Sequence, residues 1–393
     1  MYNAENMKIK AYLKIFLFTA LWIVFIFTAG VYADKFFSNS SMAFTGAGLI
    51  DGPKGIAATF LRWDAVHYFR LAYHGYLDIF PGLKAFFPMY PLILRWGSSL
   101  IESHVRDGLY TYIIIYSTVN TLSIFGAMLM IQKLFQKDYG SDISGLPPAL
   151  FMLTLPCAFF YLSPYPEALT LFLSAGAFLA AINRWWLVAG LLAGAASACR
   201  LQGIFLAPAL AVEYAHQKQW DWKKIRWDVL GLVFCPVGAL AYFWYLGGPQ
   251  VFLKAQQRWI VRQGGWNPIG AFTSYFQNGF LATRIDGQKI GIDEQISYHF
   301  SFFTLCMCVF LLVYGWKKLR VSYRVYLIIC LAVPLLSSSM MALQRYNLVM
   351  FPMAFVAADF FKTRPTTQAL VLTLFGILSC FFVTLFVNGY FVS

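Results

Sequence analysis

Apolar runs of membrane length recur from one end of this 393-residue chain to the other. A helix needs roughly 20 consecutive apolar residues to cross a bilayer core, and a helix is the form that satisfies its own backbone groups there. About eleven runs fit that description, near 11–33, 108–132, 144–162, 167–183, 185–199, 202–215, 228–247, 297–315, 323–341, 346–361 and 367–390. Those near 185–199, 202–215 and 346–361 are short, so they are expected to tilt or to cross only partly. The chain therefore reads as an all-α polytopic membrane protein, a single domain over 1–393 with long connectors at 34–107 and 248–296. Charged residues make up 12%, about half the share in soluble proteins. Aromatics reach 19%, as expected where Trp and Tyr line two membrane interfaces.

The net charge of +13 does not point to nucleic acid, because there is no basic arm and the cations fall in short connectors. Lys133 and Lys137, Arg184, the Lys218–Arg226 group, the Lys317–Arg324 group, and Lys362 with Arg364 alternate with connectors near 163–166 and 388–393 that lack Lys and Arg. By the positive-inside rule the amino end lies in the cytoplasm and both long connectors lie outside. The second outer loop carries Lys254, Arg258, Arg262, Arg284 and Lys289, for which lipid phosphate is the simplest partner. The first run follows Lys8, Lys10 and Lys14 and ends at Val31-Tyr32-Ala33, loosely like a cleavage site. It exceeds a signal h-region of about 7–15 residues, so it reads as an uncleaved anchor. The seven cysteines lie in or beside apolar runs without a CxxC pair and read as packing residues.

Three constellations carry chemistry. In the first outer loop, Arg62-Trp63-Asp64 opens a segment that, as a helix over 62–76, puts Asp64, His67, Leu71 and His74 on one face, with Tyr68 adjacent. Such a face suits a carboxylate that takes a proton from an attacking hydroxyl, or simply the wet side of an interfacial helix. Glu167, after Ser163-Pro164-Tyr165-Pro166, opens a helix on the same membrane face. There the macrodipole alone favours a carboxylate by about 0.3–1 kcal/mol. Arg200 and Arg345 sit in short outer connectors, where they either fork onto phosphate or snorkel beside an aromatic belt. Asp64, His67 and His74 are too few to define a metal site, and Gly-rich phosphate loops and Ser-His-Asp patterns are absent. No cofactor is indicated; a divalent metal is possible but not needed.

The run Arg62-Trp63-Asp64-Ala65-x-His67, with Ala72-x-His74-Gly75-Tyr76-Leu77 and Ala85-Phe86-Phe87-Pro88-x-Tyr90-Pro91-Leu92, closely resembles the PIG-V type of GPI mannosyltransferase. Leu155-Pro156-Cys157-Ala158-Phe159-Phe160 leading to Ser163-Pro164-Tyr165-Pro166-Glu167-Ala168-Leu169 resembles the family's Pro-Tyr-x-Glu segment, and Cys199-Arg200-Leu201-Gln202-Gly203 its Arg-x-x-Gly stretch. The similarity is strong over about 60–205 and weak beyond, where only topology agrees.

The resemblance implies a GT-C bundle of about eleven spans, with short interfacial helices in the first outer loop and the active site there, on the extracytoplasmic face. It implies a polyprenyl-phosphate sugar donor, and matches Asp64 and Glu167 to the family's acidic positions. The chain is shorter than eukaryotic members, which points to a prokaryotic relative with another acceptor. The expected function is transfer of a mannosyl or other hexosyl group from polyprenyl phosphate to a glycolipid or protein hydroxyl, with inversion and Asp64 as base. Arg200 or Arg345 would offset charge on the departing phosphate; Arg62, Trp63, His67 and Tyr68 would hold the sugar or the base. The rival is a transporter or lipid flippase, which calls for ionisable residues at mid-span and a repeated half. Here the acidic residues cluster at run ends and in outer loops, and no internal repeat is found.

Overall fold

The computed structural model describes residues 2–37, 56–76, 80–101, 108–140, 148–259, 267–282, 289–336 and 340–392. Among them it is helical, with no β-strand. The expectations that rest on Arg262 and Arg284 lie outside the described residues.

The chain opens with α1 (Tyr2–Phe36), which packs against the last helix, α17 (Pro365–Val387). The first connector contributes α2 (Asp64–His74), a 3₁₀ turn Pro81–Ala85, and α3 (Met89–Ile101), the short helices expected there. Then follow α4 (Gly108–Tyr139), α5 (Pro148–Thr154), α6 (Glu167–Ile182), α7 (Trp186–Cys199), α8 (Leu201–Ile204) and α9 (Leu206–Gln217). A 3₁₀ segment Trp227–Phe234 leads into α10 (Val237–Tyr245), then α11 (Pro249–Gln256) and α12 (Pro268–Tyr275). The remainder is α13 (Ile292–Tyr314), α14 (Val321–Leu336), α15 (Leu343–Asn347) and α16 (Pro352–Phe361), before α17.

Among the described residues four single helices have the length and apolar character of a span: 11–36, 110–139, 292–314 and 365–387. At most 39% of each hydrophobic window is buried against protein, so most of each apolar surface is left uncovered or only partly covered by the bundle. A fifth run, 228–247, is instead a pair bent by 43° at Pro236. Proline explains most other departures from the eleven runs, since it lacks the N–H that continues a helix. Pro156 separates α5 from the turn Ala158–Tyr161, and Pro352 opens α16 as a helix distinct from α15. The central helix α6 has the opposite environment from α1: 13 of its 16 residues are buried, between α4 and α7.

Helix α7 approaches its neighbours through small residues. A Cβ on Gly190 would run into the Gly231 carbonyl, one on Gly194 into that of Phe234, and one on Gly238 into that of Gly194. Gly190 and Gly194 lie four apart on one face, the spacing that lets membrane helices pack backbone to backbone. At the end of α6 and α7 remote from Glu167, Arg320 binds Asp138 (2.5 Å) and Glu213 (3.3 Å), while Ser322 donates to Glu213 at 2.6 Å. These contacts tie α4, α9 and α14 together.

Candidate active site

The site is built around an unusual backbone turn. Trp63, just before α2, has φ 56° and ψ −124°, a sparsely populated conformation costing about 1–3 kcal/mol. The neighbours hold it there. The Tyr165 hydroxyl donates to the Arg62 carbonyl (3.0 Å) and accepts from the Asp64 N–H (3.1 Å), spanning the turn from both sides. The Trp63 indole donates to the Tyr390 carbonyl at 3.0 Å, and its ring meets Phe391 edge-on. Three such hydrogen bonds, at about 0.5–1.5 kcal/mol each, offset the strain. Arg62 anchors the same turn from below: its guanidinium pairs with Asp34 at 2.9 Å and donates to the carbonyls of Val387 and Ala58. Asp64 is thereby fixed as the first residue of α2.

Its carboxylate meets a cation from far along the chain. Arg345 donates from one terminal nitrogen to Asp64 Oδ2 at 2.9 Å, across 281 residues. Through Nε and its other terminal nitrogen it donates to Glu167 Oε1, at 3.1 and 3.0 Å. Arg200 forms an ion pair with the same Glu167 oxygen. Glu167 is 0% exposed, Arg200 and Arg345 each 11%, and Asp64 30%. Two carboxylates and two guanidiniums thus make one cluster with formal charges that cancel, opening outward at Asp64. Asp64 Oδ1 and the second terminal nitrogen of Arg200 carry no hydrogen bond among the described residues.

Local sequence places each member. Glu167 follows Pro166 as the first residue of α6, so both carboxylates begin helices, where the macrodipole favours them. The loop before it is pinned to α4: Tyr90 donates to Asn120, which donates to the Ser163 carbonyl. Arg200 sits in extended backbone between α7 and α8 and donates to Gln202 at 3.2 Å. Arg345 lies in α15 rather than in an irregular connector, after Ala342 in the left-handed region. The rings of Phe160 and Tyr165 cover its guanidinium at 5.0 and 4.8 Å. Burial opposes the Arg345 charge, but Glu167 and Asp64 outweigh it and hold the group above the usual arginine range.

The other expected residues are divided. Tyr68 is buried among Phe86, Tyr90 and Tyr165, within the field of all four charges, and burial pushes its hydroxyl up. His67 faces an aromatic box of Phe80, Phe86 and Trp259. Burial lowers its pKa, Asp64 opposing and Arg70 assisting. His74 is exposed at the end of α2, away from that box. Arg62 is buried and bonded to the fold. Tyr165, Asp34 and Trp259 were not singled out from sequence. Tyr165 lies inside the Pro-Tyr-x-Glu stretch, whereas nothing local marked Asp34 or Trp259.

Chemically, the arrangement offers an oriented carboxylate with one unengaged oxygen, beside a guanidinium with unengaged donor capacity. Among the described residues no three His, Cys, Asp or Glu side chains converge as metal ligands. A family model described as mannosyltransferase (PIG-V) matches residues 10–217, more than half of the chain. That span includes Asp64, Tyr165, Glu167 and Arg200, and stops short of Arg345. No curated protein and no solved structure matches the chain.

Proposed function

The chain belongs to the mannosyltransferase (PIG-V) family, a membrane glycosyltransferase, and from that premise we propose a donor, a face and a mechanism. The donor is a polyprenyl-phosphate sugar, the acceptor a glycolipid or protein hydroxyl, and the bundle is of the GT-C type. The site lies outside the cell. Supporting that orientation, Arg184 and the Lys218–Arg226 cations fall at the ends of α6, α7 and α9 remote from Glu167 and Arg200.

In the proposed reaction Asp64 Oδ1 takes the proton of the acceptor hydroxyl as its oxygen attacks the anomeric carbon. The bond from that carbon to the phosphate oxygen breaks, its electron pair staying with the phosphate, and the sugar inverts. The donor diester has one negative charge and the released monoester gains a second. Arg200 is the better placed of the two arginines to meet that charge, because Arg345 directs its donors to Asp64 and Glu167. Glu167 holds both guanidiniums in place. A positioned base contributes about 10²–10⁴-fold.

One observation carries this reading: a single buried arginine joins acids that are 281 and 178 residues from it, leaving the more exposed acid one free oxygen. The test is Asp64→Asn, assayed with a polyprenyl-phosphate-mannose donor in detergent. Transfer should fall about 10²–10⁴-fold in a variant that still purifies as a folded, monodisperse protein. Activity above a few per cent in a folded variant would remove Asp64 from the role of base.

A further inference from the structure

A second feature lies at the opposite end of the molecule. Chain 220–227 reads Trp220-Asp221-Trp222-Lys223-Lys224-Ile225-Arg226-Trp227. Trp222 and Trp227 are 85% and 86% exposed, and Trp185 is 63% exposed, far more than a folded surface normally leaves to such rings. Between the start of α7 and the 3₁₀ segment Trp227–Phe234 runs a groove of about 500 Å³, lined by Trp185, Trp186, Val188, Trp227, Leu230 and Phe234. Its volume falls within the range of ligand clefts, about 300–1,000 Å³, and its lining is almost wholly apolar. The groove wall is part of the bent apolar helix pair Trp227–Phe234 and Val237–Tyr245, which together are long and apolar enough for a span.

The charges around this groove are sorted. Asp228, the one charged lining residue, is engaged by Lys218 (3.6 Å) and by the Tyr214 hydroxyl (2.6 Å). Asp221 accepts from the Lys223 backbone N–H and lies 3.9 Å from Lys224, which donates to Gln219. The side chains of Arg184, Lys223 and Arg226 are exposed and have no partner among the described residues. Arg184 immediately precedes Trp185, and Arg226 immediately precedes Trp227, so an unpaired cation flanks each wall. Apolar space at membrane depth, tryptophans at the rim and uncompensated cations beside them together describe a lipid with a negative headgroup.

We propose that this groove binds an anionic phospholipid of the bilayer, its acyl chain lying in the open groove along Trp185, Val188, Trp227, Leu230 and Phe234 and its phosphate against Arg184 and Arg226, with Lys223 adding charge. The site is independent of the proposed reaction: the 16 residues of α6 separate it from Glu167 by roughly 24 Å.

The experiment is native mass spectrometry of the full-length protein in neutral detergent, with equal phosphatidylglycerol and phosphatidylcholine of matched acyl chains. Wild type should retain phosphatidylglycerol preferentially. Each cation near the surface contributes about fivefold to binding a net anionic headgroup, so Arg184→Gln with Arg226→Gln should cut that preference about 25-fold, phosphatidylcholine binding falling far less because its choline offsets its phosphate. Trp227→Ala should lower retention of both lipids. Equal retention by wild type, or a preference that survives the double substitution, overturns the site. Displacement of phosphatidylglycerol by an equimolar short-chain isoprenyl phosphate also overturns it, since the groove would then hold a substrate lipid. These surface substitutions leave the core and the candidate active site untouched.

Discussion

The charge balance around Glu167 makes a prediction that does not depend on any assay of sugar transfer. Glu167 is 0% exposed, and one of its oxygens meets both Arg200 and Arg345. Glu167→Gln keeps the shape but leaves two largely buried guanidiniums facing Asp64 alone, so the cluster's formal charge moves from zero to +1. Removing one partner of a buried ion pair costs about 3–5 kcal/mol, because the remaining charge is uncompensated. Arg200→Gln should cost less, near the lower end of that range, since Arg345 still makes its bonds to Glu167 and Asp64. The double variant restores neutrality and should cost less than the two singles summed, with a coupling of about 2 kcal/mol or more; contacting residues typically couple by about 0.5–3. Equilibrium unfolding by SDS in mixed micelles, followed by far-UV circular dichroism, gives all four corners of the cycle. If the singles add to within about 0.5 kcal/mol, or Glu167→Gln leaves stability unchanged, the four side chains do not act as a balanced unit and the argument fails.

Three shorter tests address the supporting structure. Tyr165→Phe removes the hydroxyl that spans the Trp63 turn; transfer should fall about tenfold to hundredfold through misplacement of Asp64, with KM for the donor unchanged, and a raised KM at constant kcat would show a binding role instead. His67 has a folded pKa below its ordinary 6.5, chiefly through burial, so the unfolded chain binds the proton more readily. Stability should therefore decline as pH falls from 6.5 toward the folded value, and subtracting a His67→Gln titration should isolate that component; identical profiles would refute it. Gly194→Leu drives a side chain into the Phe234 carbonyl and should separate α7 from Trp227–Phe234, read as loss of a monodisperse folded peak on size exclusion, whereas Gly376→Leu, where a Cβ meets open space, should be silent.

Much of the site was legible because charge is conspicuous in so apolar a chain. Asp64, Glu167, Arg200 and Arg345 stood out as ionisable residues at the ends of apolar runs, and three of them fall in stretches that resemble a known family. Their joining through Arg345 was not legible, since no local pattern records a contact over 281 residues. The roles of Asp34 and Trp259 were hidden for the same reason: each acts on a partner distant in sequence, Arg62 and His67. The count of spans suffered from a different limit. Hydropathy measures withdrawal from water and does not tell lipid from protein interior. So α6, enclosed by α4 and α7, and α1, with only 28% of its hydrophobic window buried, give similar apolar runs. Proline then broke several runs into short helices that hydropathy had read as continuous.

The positions of the two acids bear on how a neutral cluster can serve an anionic donor. Formal charges of Asp64, Glu167, Arg200 and Arg345 sum to zero, so the arginines alone supply no surplus for a phosphate. Yet each acid is the first residue of a helix, α2 or α6, and each helix N-terminus carries roughly half a positive charge from its unpaired N–H groups. With the carboxylates already balanced by guanidiniums, those two partial charges are left over. Under the proposed reaction they would favour the second negative charge on the released carrier, in surroundings where burial strengthens the effect. On this argument the acids serve partly to keep the arginines ordered between turnovers. Replacing Glu167 should then leave donor binding intact or tighter while slowing transfer, a split between KM and kcat that simple loss of folding cannot imitate.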